Sequence, residues 1–260
     1  MRPSFLRLQS PYLAAIIGEA TPEQTIGSIL NCEHDGAEAF VVDLSAWERG
    51  NLTLAVLSRV FHCTGRPMMP LCYRSRNLAA DRIDDDARAE LMLLTIDAGA
   101  AACDIMGDMY DPSPRERTTD KDAIEKQKCL IERVHAKGAE VLMSSHAQNE
   151  FLAAEEVLEH LRDFVSRGVD IPKIVVRAND EDELIEAFRT TVLLRRELEV
   201  PFVHLCSGKY GRLQRYVAPS LGAALTFGIR KLGEGPQPTV GAARPVLNEL
   251  NWHMDYPQDA

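Results

Sequence analysis

The feature that most constrains this chain is a unit that recurs along it. A polar, helix-like segment is followed by a glycine and a small or aliphatic residue, then by a short apolar run that ends in polar groups. It stands as HDGAEAFVVD, DAGAAACDIMGD, AKGAEVLMSSH and SRGVDIPKIVVR, around Gly36, Gly99, Gly138 and Gly168. Glycine just past a helix is the expected left-handed terminator, and an unbroken apolar run after it reads as a strand buried on both faces. Each copy is therefore a helix-to-strand junction. Further strands are expected at 12–17, 66–73, 201–206 and 223–228, and helices at 22–32, 84–97, 120–136, 153–167 and 180–198. Such alternation predicts an α/β fold with a covered parallel sheet, and the number of units predicts closure into a (β/α)8 TIM barrel, one domain over residues 1–260. An open doubly wound sheet would carry a glycine-rich turn after the first strand. Here Ile17-Gly18-Glu19-Ala20-Thr21 offers one glycine.

Charge narrows the partners. With 29 Lys+Arg against 39 Asp+Glu, the net charge of -10 has the wrong sign for neutralising nucleic-acid phosphates. An anionic small molecule would have to be held by a few cations gathered in one cleft, which makes individual arginines informative. The six cysteines form no C-x-x-C pair and are expected to be reduced and unligated. The N-terminal MRPSFLRLQSPYLAAIIG lacks the pattern of a signal peptide, and no run approaches the roughly 20 apolar residues that span a bilayer, so a cytoplasmic location without a membrane partner is expected.

In barrels the reacting groups sit at the C-terminal ends of strands, which here brings forward Asp43, Arg74, Asp104, His146, Lys173, Arg177 and Arg215. Lys173 is peculiar. Inside DIPKIVVR its neighbours predict burial on both faces, and a buried ammonium is costly unless it is paired or loses its proton. A neutral amine is what Schiff-base formation with a ketone needs; the alternatives are a lysine that snorkels from the strand start or one that pairs with a buried acid. His146 closes the preceding strand, EVLMSSH, and adjacent strands lie about 4.8 Å apart, so the two can share a pocket.

Ser144-Ser145-His146, Asp170-Ile171-Pro172-Lys173-Ile174, the Gly208 to Arg215 run GKYGRLQR, and Leu225-Thr226-Phe227 follow one another in an order that resembles the type I 3-dehydroquinate dehydratase family. The resemblance covers roughly residues 36–240. It implies a (β/α)8 barrel without metal or organic cofactor, an imine on Lys173, and acid/base work by His146. It also implies that Arg215 holds a substrate carboxylate and that Arg74 contacts substrate. The expected ligand is a small carboxylated oxo-acid; a homodimer is left open.

The family pattern breaks elsewhere. Its second-strand Glu-x-Arg is replaced by Val41 and Asp43, its third-strand glutamate by Leu78 and a fourth-strand glutamate by Met106. Gln214 stands where a serine precedes the carboxylate arginine, and of Pro-Gly-Gln in the closing loop only Pro236-Gln237-Pro238 is left. Asp43, Gln214 and Gln237 are accordingly expected to face the substrate, and an ion pair between Asp43 and Arg177 is one arrangement that strand parity allows. A site that matches ring hydroxyls discriminates strongly, so these changes point to an altered substrate or weak activity on 3-dehydroquinate. Three functions stay open: a dehydratase of this family, a Schiff-base aldolase or dehydratase for another oxo-acid, and a non-catalytic paralogue that binds a carboxylated metabolite.

Overall fold

Gly36, Gly99, Gly138 and Gly168 all adopt positive φ (102°, 112°, 69° and 98°), so each stops a helix and turns the chain into the next strand, as their spacing predicts. A computed structural model describes residues 2–9, 11–74 and 83–250. Within them the strands are β1 (Tyr12–Ile17), β2 (Ala39–Asp43), β3 (Met68–Leu71), β4 (Ala102–Met106), β5 (Glu140–His146), β6 (Ile171–Arg177), β7 (Val203–Ser207) and β8 (Leu225–Ile229). They alternate with α1 (Pro22–His34), α2 (Leu54–Phe61), α3 (Asp85–Asp97), α4 (Lys121–Ala136), α5 (Ala154–Ser166), α6 (Glu181–Glu197), α7 (Gly211–Val217) and α8 (Val240–Glu249). Four helices (α3, α4, α5 and α6) begin one residue later than expected because the first expected residue is the cap, and in three of them the cap is an aspartate. The carboxylates of Asp84, Asp120 and Asp180 accept the N–H of Ala87, Ala123 and Glu183 at 2.7, 2.8 and 2.9 Å. The structure adds α2, α7 and α8 to the helices expected from sequence; at eight and seven residues α2 and α7 are too short to show a clear helical period.

The strands are parallel and form a (β/α)8 barrel, but their hydrogen bonding is not continuous around it. One sheet has the order β3-β2-β1-β8 and the other β4-β5-β6-β7. At the seams single backbone bonds stand in for ladders, Ala101 N–H to Met68 O (2.7 Å) and Ala224 N–H to Phe202 O (2.9 Å). The β3–β4 seam has a local cause. Met68 directs its carbonyl to β4, alternation puts residue 70 on the same edge, and Pro70 has no N–H to give.

Alternation also sorts the core into two layers. Phe40, Val42, Ile105, Ile174 and Val176 pack outward against the helices, whereas Tyr12, Val41, Leu142, Ile171 and Val175 fill the barrel interior. Phe5 closes the floor: its ring packs beside Tyr12, and its N–H donates to Glu140 Oε2 at 2.8 Å. Open space inside the barrel is thereby confined to its C-terminal end. No helix among the described residues is long and apolar enough to cross a membrane.

Candidate active site

On β6 the inward positions are Ile171, Lys173 and Val175, so the strand period alone carries the Lys173 side chain into the barrel, where the residue is 7% exposed. Its Nζ lies 3.3 Å from His146 Nε2 and 3.5 Å from Asp104 Oδ2, with the rings of Phe227 and Tyr73 at 5.5 and 6.0 Å. Of the alternatives open for this lysine, pairing with a buried acid is the one the geometry adopts. Asp104 also accepts the hydroxyl of Ser144, to which the Tyr73 phenol is bonded in turn. Burial drives the Asp104 carboxyl above the usual range against the pull of the Lys173 ammonium.

His146 is oriented by an acid that does not stand at a strand end. Its Nδ1 is 2.8 Å from Glu116 Oε2, and its backbone N–H reaches the same oxygen at 3.0 Å. An Nδ1–H that donates to Glu116 leaves the Nε2 lone pair facing Lys173. Burial lowers the imidazole's pKa, and the neighbouring Lys173 charge lowers it further while Glu116 opposes both, so the net effect favours the neutral ring. The edge of the ring meets Tyr73 at 4.9 Å and 82°.

Glu116 was not foreseen. It ends a short 3-10 turn, Pro114–Glu116, in the loop between β4 and α4, where Arg115 and Glu116 both hold left-handed φ (59° and 46°). Non-glycine residues seldom sit there, and such strain collects at functional sites. Gly107 makes the approach of this loop feasible, since a Cβ there would lie 2.5 Å from the Glu116 carbonyl and 2.2 Å from the Phe164 ring. Nothing in the linear run DPSPRERTT marks its glutamate as a partner of a histidine thirty residues on.

These groups surround a cavity of about 300 Å³ at the C-terminal end of the barrel, which Arg215, Gln148 and Gln237 also line. Arg215, on α7, is buried; its Nε donates to Cys206 O at 3.0 Å, and among the described residues it has no acidic partner. Desolvation pulls its pKa down to about 10. A buried cation without a countercharge is expensive, and an anion in the cavity would relieve it.

Other expected contacts fall outside the cavity. Gln214 is fully buried and brackets β7, accepting the Cys206 N–H at 2.9 Å and donating to His204 O at 3.1 Å. Arg74 turns away to Asp108 (3.0 and 3.1 Å) and Asp85 (2.8 Å), two acids that outcompete the pocket for its guanidinium fork. Asp43 keeps its inward parity but is absent from the cavity lining, and it accepts the Ser45 N–H at 3.0 Å, a local turn contact. The Asp43–Arg177 pair is not formed, because Arg177 lies at the rim and engages Glu183 and the Asn149 carbonyl. Leu78 lies outside the described residues.

Fold and site together define a (β/α)8 barrel with an amine–imidazole pair at its C-terminal mouth. The chain belongs to the type I 3-dehydroquinase family, whose model matches residues 38–253. It is 32% identical over 136 residues to the 3-dehydroquinate dehydratase of Alkaliphilus oremlandii, over 52% of each chain. It is 30% identical over 158 residues to that of Salmonella typhimurium, over 60% of this chain and 61% of the relative. The chain thus spans about half to three-fifths of the length of these curated relatives. Among solved structures it resembles the type I 3-dehydroquinate dehydratase of Clostridium difficile, with a TM-score of 0.79 at 18% identity over 94% of both chains. It likewise resembles the enzyme of Geobacillus kaustophilus, with a TM-score of 0.80 at 15% identity over 93% of this chain and 91% of the other.

Proposed function

We propose that this protein is a carbon–oxygen lyase that dehydrates a carboxylated oxo-acid through an imine on Lys173, with His146 as proton carrier. The observation that carries this reading is the 3.3 Å approach of Lys173 Nζ to His146 Nε2 in a cavity that also presents the unpaired Arg215. Lys173 attacks the substrate ketone as the free amine; Asp104 and His146 are both within reach of the proton it sheds. Loss of water from the carbinolamine leaves an iminium. His146 Nε2 then removes a proton from the adjacent carbon, and the electron pair moves into the iminium to give an enamine. The enamine expels the hydroxyl one carbon further on, which departs as water with the proton His146 took. Hydrolysis of the conjugated iminium releases the enone and restores Lys173. Arg215 holds the carboxylate throughout, for which its planar fork is well suited.

The test is reductive trapping. Incubation with 3-dehydroquinate and borohydride, followed by intact mass and peptide mapping, is expected to place an adduct on Lys173 and none in Lys173→Ala. Trapping that survives the substitution, or no adduct with any oxo-acid, removes the imine. Turnover of 3-dehydroquinate itself is expected to be weak, since Val41 lines the cavity where the family has a glutamate. Formation of the enone, followed by ultraviolet absorbance, measures it; efficient turnover assigns the ordinary activity instead.

A further inference from the structure

The cavity has two unlike walls. Reading the parallel register sideways, Ile16 pairs with Val41 and Val41 with Met69, so three adjacent strands lay one continuous aliphatic row across the interior. Leu71 on β3 and Phe227 on β8 line the cavity beside that row. Val41, Met69 and Phe227 are almost fully buried (3%, 1% and 3% exposed), so a ligand pressed against them is screened from bulk solvent. Opposite stand the groups that do chemistry: Asp104, His146 and Lys173 from β4 to β6, with Glu116 behind the histidine and Arg215 on α7. Three polar groups remain among the described residues: the Tyr73 phenol, which follows β3 and is bonded to Ser144 Oγ, and Gln148 and Gln237, which follow the C-terminal ends of β5 and β8 and so belong to the mouth.

We propose that the natural substrate is a β-hydroxy oxo-acid whose body is hydrocarbon or a flat unsaturated ring, with hydroxyl groups confined to the leaving position beside His146 and to the edge at the mouth. This rests on the imine reading above and names the substrate class for it. A hydroxyl on the face turned to Ile16, Val41 and Met69 would surrender its bonds to water without gaining a partner. Each such hydroxyl weakens binding by about tenfold or more. Hydrocarbon on the same face gains by burial against side chains that are already dehydrated. A polyhydroxylated ring is therefore rejected by the wall that carries no chemistry, while its ketone and carboxylate would still find Lys173 and Arg215.

Two ring carboxylates without a carbonyl separate this from the imine question. Cyclohexanecarboxylate and quinate share a six-membered ring and one carboxylate; the second carries four hydroxyls, and neither can form an imine. Isothermal titration of the full chain is expected to give a Kd at least tenfold lower for cyclohexanecarboxylate. The preference should shrink in Met69→Gln, which sets an amide into the aliphatic row. Quinate binding as tightly or more tightly would overturn the proposal. So would the absence of millimolar binding by either compound, or a preference that Met69→Gln leaves untouched in a folded variant. The native protein alone decides the first two outcomes should Met69→Gln not fold. Failure of borohydride trapping removes the Schiff base and leaves this comparison standing.

Discussion

The two half-barrels teach different lessons about what a strand end is for. The sheet β4-β5-β6-β7 sets Asp104, Ser144, His146 and Lys173 into one bonded group, each side chain satisfied by the next. The sheet β3-β2-β1-β8 contributes Met69, Leu71, Val41, Ile16 and Phe227 to the same cavity and, among the described residues, no charged group. Both follow the same period of two and the same inward parity. The first half holds a chain of partners that make each buried polar group affordable, whereas the second has only packing, so inward positions there stay apolar. Where that half does carry an acid inward, at Asp43, the carboxylate sits at the end of its strand and is taken up by a turn.

That contrast can be broken most severely at His146. In the proposed mechanism, His146→Ala keeps imine trapping and slows turnover by roughly a hundredfold or more; an unchanged rate, measured by single-turnover assay, would move proton transfer to another group. The adjacent pair Arg215 and Gln214 sharpens the distinction between facing a cavity and bracing a strand. Arg215→Gln is expected to raise KM for a carboxylated substrate by about tenfold to a hundredfold. Gln214→Ala is expected to leave KM alone and lower stability by about 1–3 kcal/mol in chemical denaturation, since two buried β7 backbone groups lose their partner. The reverse pattern would return Gln214 to the binding site.

Glu116 gives the smallest effect and the most diagnostic one. His146 is held below its ordinary pKa by burial and by Lys173, and Glu116, with a smaller push from Asp104, opposes that shift. Removing the carboxylate in Glu116→Gln therefore lowers the imidazole pKa further. Because the mechanism needs neutral His146 as base, the acid limb of the pH profile of kcat/KM should move to lower pH, with a modest drop at the plateau as the ring loses its clamp. An acid limb that stays in place, or moves to higher pH, would show that Glu116 does not act through the ring.

Much of this molecule was legible before its structure. The glycine junctions, the buried apolar runs and the acidic caps are local signals, governed by backbone sterics and by the spacing of one element, and they gave the alternation and the barrel. Lys173 was legible for a related reason: a charged residue amid Ile and Val must be explained by something, and strand parity says only that the explanation lies inside. The short α2 and α7 and the broken β3–β4 ladder were less visible, since two turns of helix show no period and Pro70 matters only once its neighbour is known.

What the sequence determined by itself, then, is which residues face inward and where each element starts and stops. Tertiary structure alone decided who pairs with whom. Arg74 and Gln214 stand at positions the family pattern marks for the ligand, yet one is claimed by Asp85 and Asp108 and the other by the β7 backbone. Glu116 reaches His146 from a loop that no periodicity describes. The reason is physical. Direction along an element follows from fixed dihedral geometry over two or four residues, whereas a side-chain bond is won by whichever donor or acceptor the folded loops bring within about 3 Å, against all competitors at once.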